Sequence, residues 1–429
     1  MKTQKGSVKL WRIGAFLVTL PRGPFDGPPE GIEGRMDAIS QQSARALEPL
    51  AYHTALQDHL REHEPQVWDK VSGGMDEGEL AELRDTMLRN TYRLEEAGHP
   101  QVFAALKTAM ERLGIEAPAT LYQANDGTMN ASLIYVPGEV HLTFFGPILE
   151  KLSEAELLAL MGHELSHYLL WQMEEGAHHR TSRIFDHALS FPDAKPAHRE
   201  TARLLSLYTE LFADRGAAIA ARDTTPAIAV LVKTMTGLTS VDPEAYLRQA
   251  EELEAKGGKS QGHSHPEIYL RARALKLWWE RDATLADWLE ARVQGPLSIE
   301  ALDLIGQHRL TALTRGFLAR MLAEVEEGSD EIVTQVRAVF PDFAHEEEKL
   351  DLADLSVEKI DDATRDYFIA LMFDLAMADS DATEVVMLAA AKTAASMGAT
   401  ERLSASLRRD LKWTKARADK LLAQAAKAA

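Results

Sequence analysis

The chain has 429 residues, with 66 acidic against 47 basic side chains (net charge −19), fifteen histidines and no cysteine. That length allows several domains and at least one sizeable core, and a 45% hydrophobic, 26% charged composition is ordinary for a soluble globular protein. The acidic balance excludes a nonspecific nucleic-acid binder, which needs a positive field, and the missing cysteines exclude disulfides, thiolate zinc sites, iron–sulfur clusters and cysteine nucleophiles together.

The first apolar run, Leu10–Leu20, is broken by Arg12 and Thr19 and is shorter than the roughly 20 residues a membrane helix needs. Lys2, Lys5 and Lys9 before Ile13–Leu20 imitate a signal peptide, but Pro21-Arg22-Gly23-Pro24 follows with no small-residue cleavage site. The run therefore reads as a strand or tethered segment, and a cytoplasmic protein with no integral membrane segment is expected. Residues 21–35, rich in Pro and Gly, read as an irregular linker.

From Met36 to Leu113 the pattern is helical, with charged faces. Between Ala117 and Phe145 the period changes: Thr120-Leu121-Tyr122 leads to the turn signal Asn125-Asp126-Gly127, and Ala131–Tyr135 and Val140–Phe144 flank Pro137-Gly138 as a hairpin. Ser153 with Glu156 makes a capping box that opens a helix running to about Trp171. A looser stretch, Glu174 to Pro196, precedes a helix from about Glu200 to Arg222, whose stripe Leu204, Leu207, Tyr208, Leu211, Phe212 has helical spacing. Lys256–Ser260 reads as a mobile loop, and beyond Asp287 everything is helical, with Pro341 and the acidic run Glu346–Glu348 inside it. The expected fold class is mainly α with a small β-sheet: a helical N-terminal segment (1–115), a mixed region (116–285) and an all-helical C-terminal domain (286–429).

The chemistry centres on His163-Glu164-Leu165-Ser166-His167. On a helix, histidines at i and i+4 project from one face as two ligands of one zinc ion, and Glu164 lies beside them within reach of a water. The helix is apolar on nearly every side, so it should be buried, and buried polar groups must be paired or bound to metal. Glu210 and Asp214 repeat the i, i+4 spacing on the next long helix. Two carboxylates so placed repel unless a cation or an imidazole N–H offsets them. Hydrolytic zinc takes three protein ligands and an open position, so Glu210 suits the third ligand and Asp214 the orienting of a ligand histidine. Either pair also has a plainer reading, as satisfied core histidines or a solvated acidic face.

These motifs in this order, followed by Ser264-His265-Pro266 and Arg271, resemble the gluzincin metallopeptidases, in particular the family of the CAAX prenyl protease, HtpX and the mitochondrial Oma-type protease. The resemblance covers roughly residues 115–285. It implies a zincin-type core, one Zn2+ per chain on His163, His167 and Glu210, and Glu164 as general base in peptide-bond hydrolysis. It further implies Asp214 as a supporting carboxylate, His265 as the group stabilising the oxyanion, with Arg271 as a supporting charge, and Asn130 at the strand leading into the site. A peptide or protein substrate is expected, added as a β-strand along the edge near Asn130–Tyr135. Many relatives are membrane proteins, and this chain shows no such segment, so membrane-embedded substrates do not follow from the resemblance.

His59 and His63 share the i, i+4 spacing without a glutamate after the first, and among Asp58, Arg61 and Glu62 they read as a solvated face; His178-His179 reads as a surface pair. Asp379-Ser380-Asp381 begins like a calcium loop but lacks its glycine and final glutamate. Leu371–Glu384 resembles the TerB-like helical domain, which implies a metal- or partner-binding module associated with stress responses. From Glu401 onward, eight basic and three acidic residues make an amphipathic, solvated helix or a contact for a partner. The reading is a soluble zinc metalloendopeptidase; the alternative is a restrained or inactive zincin scaffold acting through its C-terminal helices. The N-terminal helices, which the resemblance does not require, would then be placed to occlude the cleft.

Overall fold

The computed structural model describes residues 47–71, 77–125, 127–324, 330–344 and 350–428. The apolar run at 10–20, the linker at 21–35, the turn residue Asp126 and the acidic run at 346–348 lie outside the described residues. The described residues begin with α1 (Ala51–His63), α2 (Pro65–Lys70) and α3 (Glu77–Asn90), then β1 (Tyr92–Arg93) and α4 (Pro100–Leu113). Next come β2 (Ala119–Ala124), β3 (Asn130–Val136), β4 (Glu139–Phe145) and the short α5 (Ile148–Lys151). Two long helices follow, α6 (Glu154–Leu189) and α7 (Pro196–Ala221), and then α8 (Thr224–Thr236), α9 (Pro243–Glu254), α10 (Ile268–Glu280) and α11 (Leu285–Leu289). The remainder is α12 (Leu304–Glu324), α13 (Asp330–Val339), α14 (Asp362–Ala378), α15 (Thr383–Ser396), α16 (Thr400–Arg409) and α17 (Lys415–Ala428). A mainly helical chain with one small sheet is the expected class. No described helix is long and apolar enough to cross a membrane.

The sheet is mixed, in the order β1-β2-β4-β3. β3 and β4 pair antiparallel about the Pro137-Gly138 turn, where Gly138 takes φ +79° without the clash a Cβ would bring, and β2 runs parallel to β4. β3 is thus an edge strand. β1 is not legible in the sequence: two residues carry too little pattern, and the pairing of Tyr92 with Gln123 and Arg93 with Tyr122 defines it.

Alternating residues of the sheet (Leu121, Leu142, Phe144) bury against α4 and α6 in one core with Val102, Leu106, Leu160 and Leu165. Helix α4 therefore belongs to the packing of the sheet and is no appendage to it. A second core joins α1 (Leu56, Leu60) to α7 (Leu204, Leu207, Phe212), and a third, from Leu297 to Ala425, is built by the C-terminal helices. In that third core Leu371–Glu384 forms the end of α14, a turn and the start of α15. The Asp381 N–H bonds to the Asp379 carboxylate at 2.8 Å there, so the acidic residues cap a turn.

Ser153 opens α6 as expected: its hydroxyl accepts from the Glu156 N–H, while the Glu156 carboxylate accepts from the Ser153 N–H at 2.7 Å. The expectation of a loop from Glu174 is corrected. The backbone breaks only over Met173–Gly176, with φ of +50°, +55° and +81° at Glu174, Glu175 and Gly176, and helix resumes through Leu189. The surface reading of the pair at 178 and 179 falls with it. His178 is buried and bonded to Gln57 of α1, and His179 packs its ring 4.3 Å from that of Tyr135.

α6 and α7 approach closely because small residues line their contact. A Cβ on Gly162 would lie 2.3 Å from the Ala220 Cβ and 2.7 Å from the Gly216 carbonyl oxygen. Gly162→Ala should therefore cost about 1–3 kcal/mol through overpacking, read as a lowered denaturation midpoint. An unchanged midpoint would show that the two helices part freely.

Candidate active site

The close α6–α7 contact sets two polar faces against each other. His163 and His167, one turn apart on α6, bring their Nε2 atoms to 3.3 Å, and Glu210 of α7 lies with its carboxylate oxygens 3.5 Å from His163 Nε2 and 3.7 Å from His167 Nε2. The three offer ligand atoms within 4.8 Å of one another. Two imidazoles and one carboxylate at this spacing are a nitrogen and oxygen donor set of the kind zinc takes in hydrolytic sites.

One turn on from Glu210, Asp214 sits 3.2 Å from His163 Nδ1, so the two carboxylates address opposite nitrogens of one ring. Both are buried, and burial alone would raise their pKa values. Arg271 of α10 reverses that: its guanidinium donates through Nε and Nη2 to both Asp214 oxygens at 2.8 and 2.7 Å and lies 3.1 Å from Glu210. Glu210 is held well below the usual carboxylate range and Asp214 is lowered. The arginine's own pKa is raised against the cost of burial by Asp214 and Glu210. Burial would depress His163, but the hydrogen bonds of Asp214 and Glu210 outweigh it and pull the ring up to about 10. His167, facing more burial than charge, falls to about 4. The two carboxylates thus draw positive charge toward the His163 ring, which is what a cation held there also requires.

Glu164, the residue after His163, is also buried. Its carboxylate accepts a hydrogen bond from the backbone of Leu133 on β3, and burial pushes its pKa up to about 7. The edge strand thereby meets the helix at the residue between the two histidines. Beyond the outer edge of β3 no further strand pairs among the described residues. Asn130 begins that strand, exposed and opposite Phe145.

His265 reaches the rim from the loop before α10. Its side chain is 46% exposed, with Nε2 at 3.5 Å from Glu210 and Nδ1 at 2.8 Å from the Ser264 hydroxyl. The expectation of a mobile loop at 256–260 is corrected at its far end. Ser260 is buried, and its hydroxyl donates to Glu267 at 2.7 Å, while the Gly262 carbonyl accepts from Arg203 at 3.0 Å. Gly262 is needed here because a Cβ would stand 1.9 Å from the His265 carbonyl oxygen. Arg271, only 7% exposed, gives its guanidinium to Asp214 and to Glu210, the carboxylate that His265 also approaches.

Sequence reasoning missed an aromatic wall beside the cluster. Trp171 lies 5.9 Å from the His167 ring and 5.4 Å from Tyr135, whose hydroxyl donates to the Trp171 carbonyl at 3.3 Å, and His179 closes the group. The i, i+4 spacing of His167 and Trp171 is a usable signal, but the arrival of His179 needs the break at 173–176.

Neither a curated protein nor a solved structure matches the chain. Residues 97–194, from α4 through α6 and so including His163, Glu164 and His167, match the family model described as Peptidase family M48, which supports a metallopeptidase of that family.

Proposed function

We propose that the chain is a zinc-dependent endopeptidase in which His163, His167 and Glu210 hold one zinc ion and Glu164 is the general base. Its ordered motifs resemble those of the CAAX prenyl protease, HtpX and Oma-type proteases. The observation that carries the reading is geometric: His163, His167 and Glu210 offer ligand atoms within 4.8 Å of one another, with the buried Glu164 carboxyl group beside them. A carboxyl group so placed can both take and return a proton.

When bound, zinc supplies Lewis acidity, polarising a carbonyl and lowering the pKa of a water to about 7. Glu164 takes a proton from water as its oxygen adds to the scissile carbonyl carbon, and passes it to the departing amine nitrogen. Asp214, locked by the Arg271 fork, holds His163 through Nδ1 and so leaves Nε2 as the ligand atom. His265 offers a donor at the rim for the oxyanion, a role worth about 2.7–4 kcal/mol in comparable sites. The open edge of β3 from Asn130 to Tyr135 takes the peptide as an added strand, through main-chain hydrogen bonds that demand little of its sequence. Asn130 serves at the start of that edge.

Glu164→Gln should retain zinc and lose casein cleavage by about 10²–10⁴-fold. Cleavage at the wild-type rate would overturn the mechanism. Asp214→Ala should weaken zinc at the His163 site by about 10–100-fold, measured by competition with a chelator. If affinity is unchanged, the carboxylate does not orient the ligand.

A further inference from the structure

A second group of imidazoles stands away from the α6–α7 cluster, where α1 meets α12. His59 and His63 project from one face of α1 at i and i+4, and His308 joins them from the first turns of α12. The ring centroids are 5.0 Å apart for His59 and His63, 4.7 Å for His59 and His308, and 4.3 Å for His63 and His308. One ring nitrogen of each lies within 4.8 Å of the others. Among the described residues none of the three rings makes a hydrogen bond to a protein group; the Glu62 carboxylate, at 3.8 Å from His63, is beyond hydrogen-bond reach.

A metal ion takes imidazole in its neutral form, through a ring lone pair. Two nitrogens bound to one tetrahedral zinc stand about 3.3 Å apart, given zinc–nitrogen bonds of about 2.0–2.1 Å. Small side-chain rotations of the half-exposed rings close that gap. We propose that His59, His63 and His308 form a second metal site, which takes a divalent transition ion suited to imidazole and clasps α1 to α12.

The donor set selects the ion class. Three neutral nitrogens suit Zn2+, Cu2+ or Ni2+, whereas Mg2+ and Ca2+ require oxygen ligands. The placement gives the ion a mechanical role. The start of α12 is already held by the Tyr52 hydroxyl of α1 on Asp303 at 2.7 Å and by its own Leu304 N–H on the Thr201 hydroxyl of α7 at 2.9 Å. A metal on α1 and α12 adds a third tie between the helices packed on α6 and α7 and the C-terminal core. The site also leaves a fourth coordination position facing solvent.

The test uses the full chain, stripped by a chelator and loaded with Zn2+ in equilibrium dialysis. Wild type should hold about two zinc ions per chain and His308→Asn about one, with His63→Asn giving the same loss from the other helix. Cu2+ added to each protein should show an electron-spin signature of several imidazole nitrogens that weakens in both variants. Excess Zn2+ should raise the Tm of wild type further than that of either variant. His63 and His308 are exposed, so both variants should keep the wild-type circular dichroism. Equal zinc content and equal copper spectra in wild type and variants would overturn the proposal. Failure of the peptidase cluster to bind zinc would lower all counts alike and leave the difference of one standing.

Discussion

Everything at the α6–α7 seam depends on how buried charge is balanced there. Glu164, Glu210 and Asp214 are all buried, with one arginine against them. An unpaired carboxylate in such a place costs several kcal/mol, so Asp214 and Glu210 exist as anions only because Arg271 is beneath them and His163 between them. Arg271 answers both, and its planar fork fixes the Asp214 oxygens in the plane from which one of them reaches His163 Nδ1. At Glu164 burial outweighs the pull of His163 and Arg271, and its proton affinity rises accordingly. Neighbouring carboxyl groups are thereby separated into two anions that position and one group that exchanges a proton.

That balance requires the two helices to be closer than large side chains would permit. Gly162 lies one residue before His163, and Gly216 follows Asp214 by two, so the close contact is built from the same turns as the ligands. Ser166, inside the histidine motif, is fully buried against Gly216 and satisfies its hydroxyl on the Gly162 carbonyl at 2.6 Å. The variable positions of the motif are thus spent on packing, and the polar ones on chemistry. The β3 edge completes the geometry, because the Leu133 backbone bonds to Glu164 there.

What can be read in the sequence is what depends on near neighbours. The Ser153–Glu156 box, the Pro137-Gly138 hairpin, the α7 stripe and the two i, i+4 pairs are local patterns, and the structure contains each of them. What cannot be read is set by distant contacts or by backbone torsion. The break at 173–176 places two glutamates at positive φ, which their residue type does not announce, and it turns His178 and His179 inward. In the sequence Arg271 is a charge beside a loop histidine, yet it is claimed by carboxylates far away along the chain. His59 and His63 look solvated there because their third companion, His308, belongs to a different part of the chain.

The N-terminal helices illustrate the same point in energetic terms. Read as an addition to a peptidase core, they would be a removable cover. However, α1 places Leu56 and Leu60 in the core of α7, bonds Gln57 to His178 and Tyr52 to Asp303, and buries His53 against Thr209 at 3.3 Å. α4 contributes Val102, Leu106 and Ala109 to the core that supports β4 and the histidine helix. Each large apolar side chain lost from such a core costs on the order of 2–5 kcal/mol, so cutting at 115 removes far more than typical domain stability of about 5–15 kcal/mol can absorb. Lost activity in such a truncation would report a collapsed site and say nothing of occlusion. A cover over the cleft, if the chain has one, must be sought in segments that the α6–α7 core does not need.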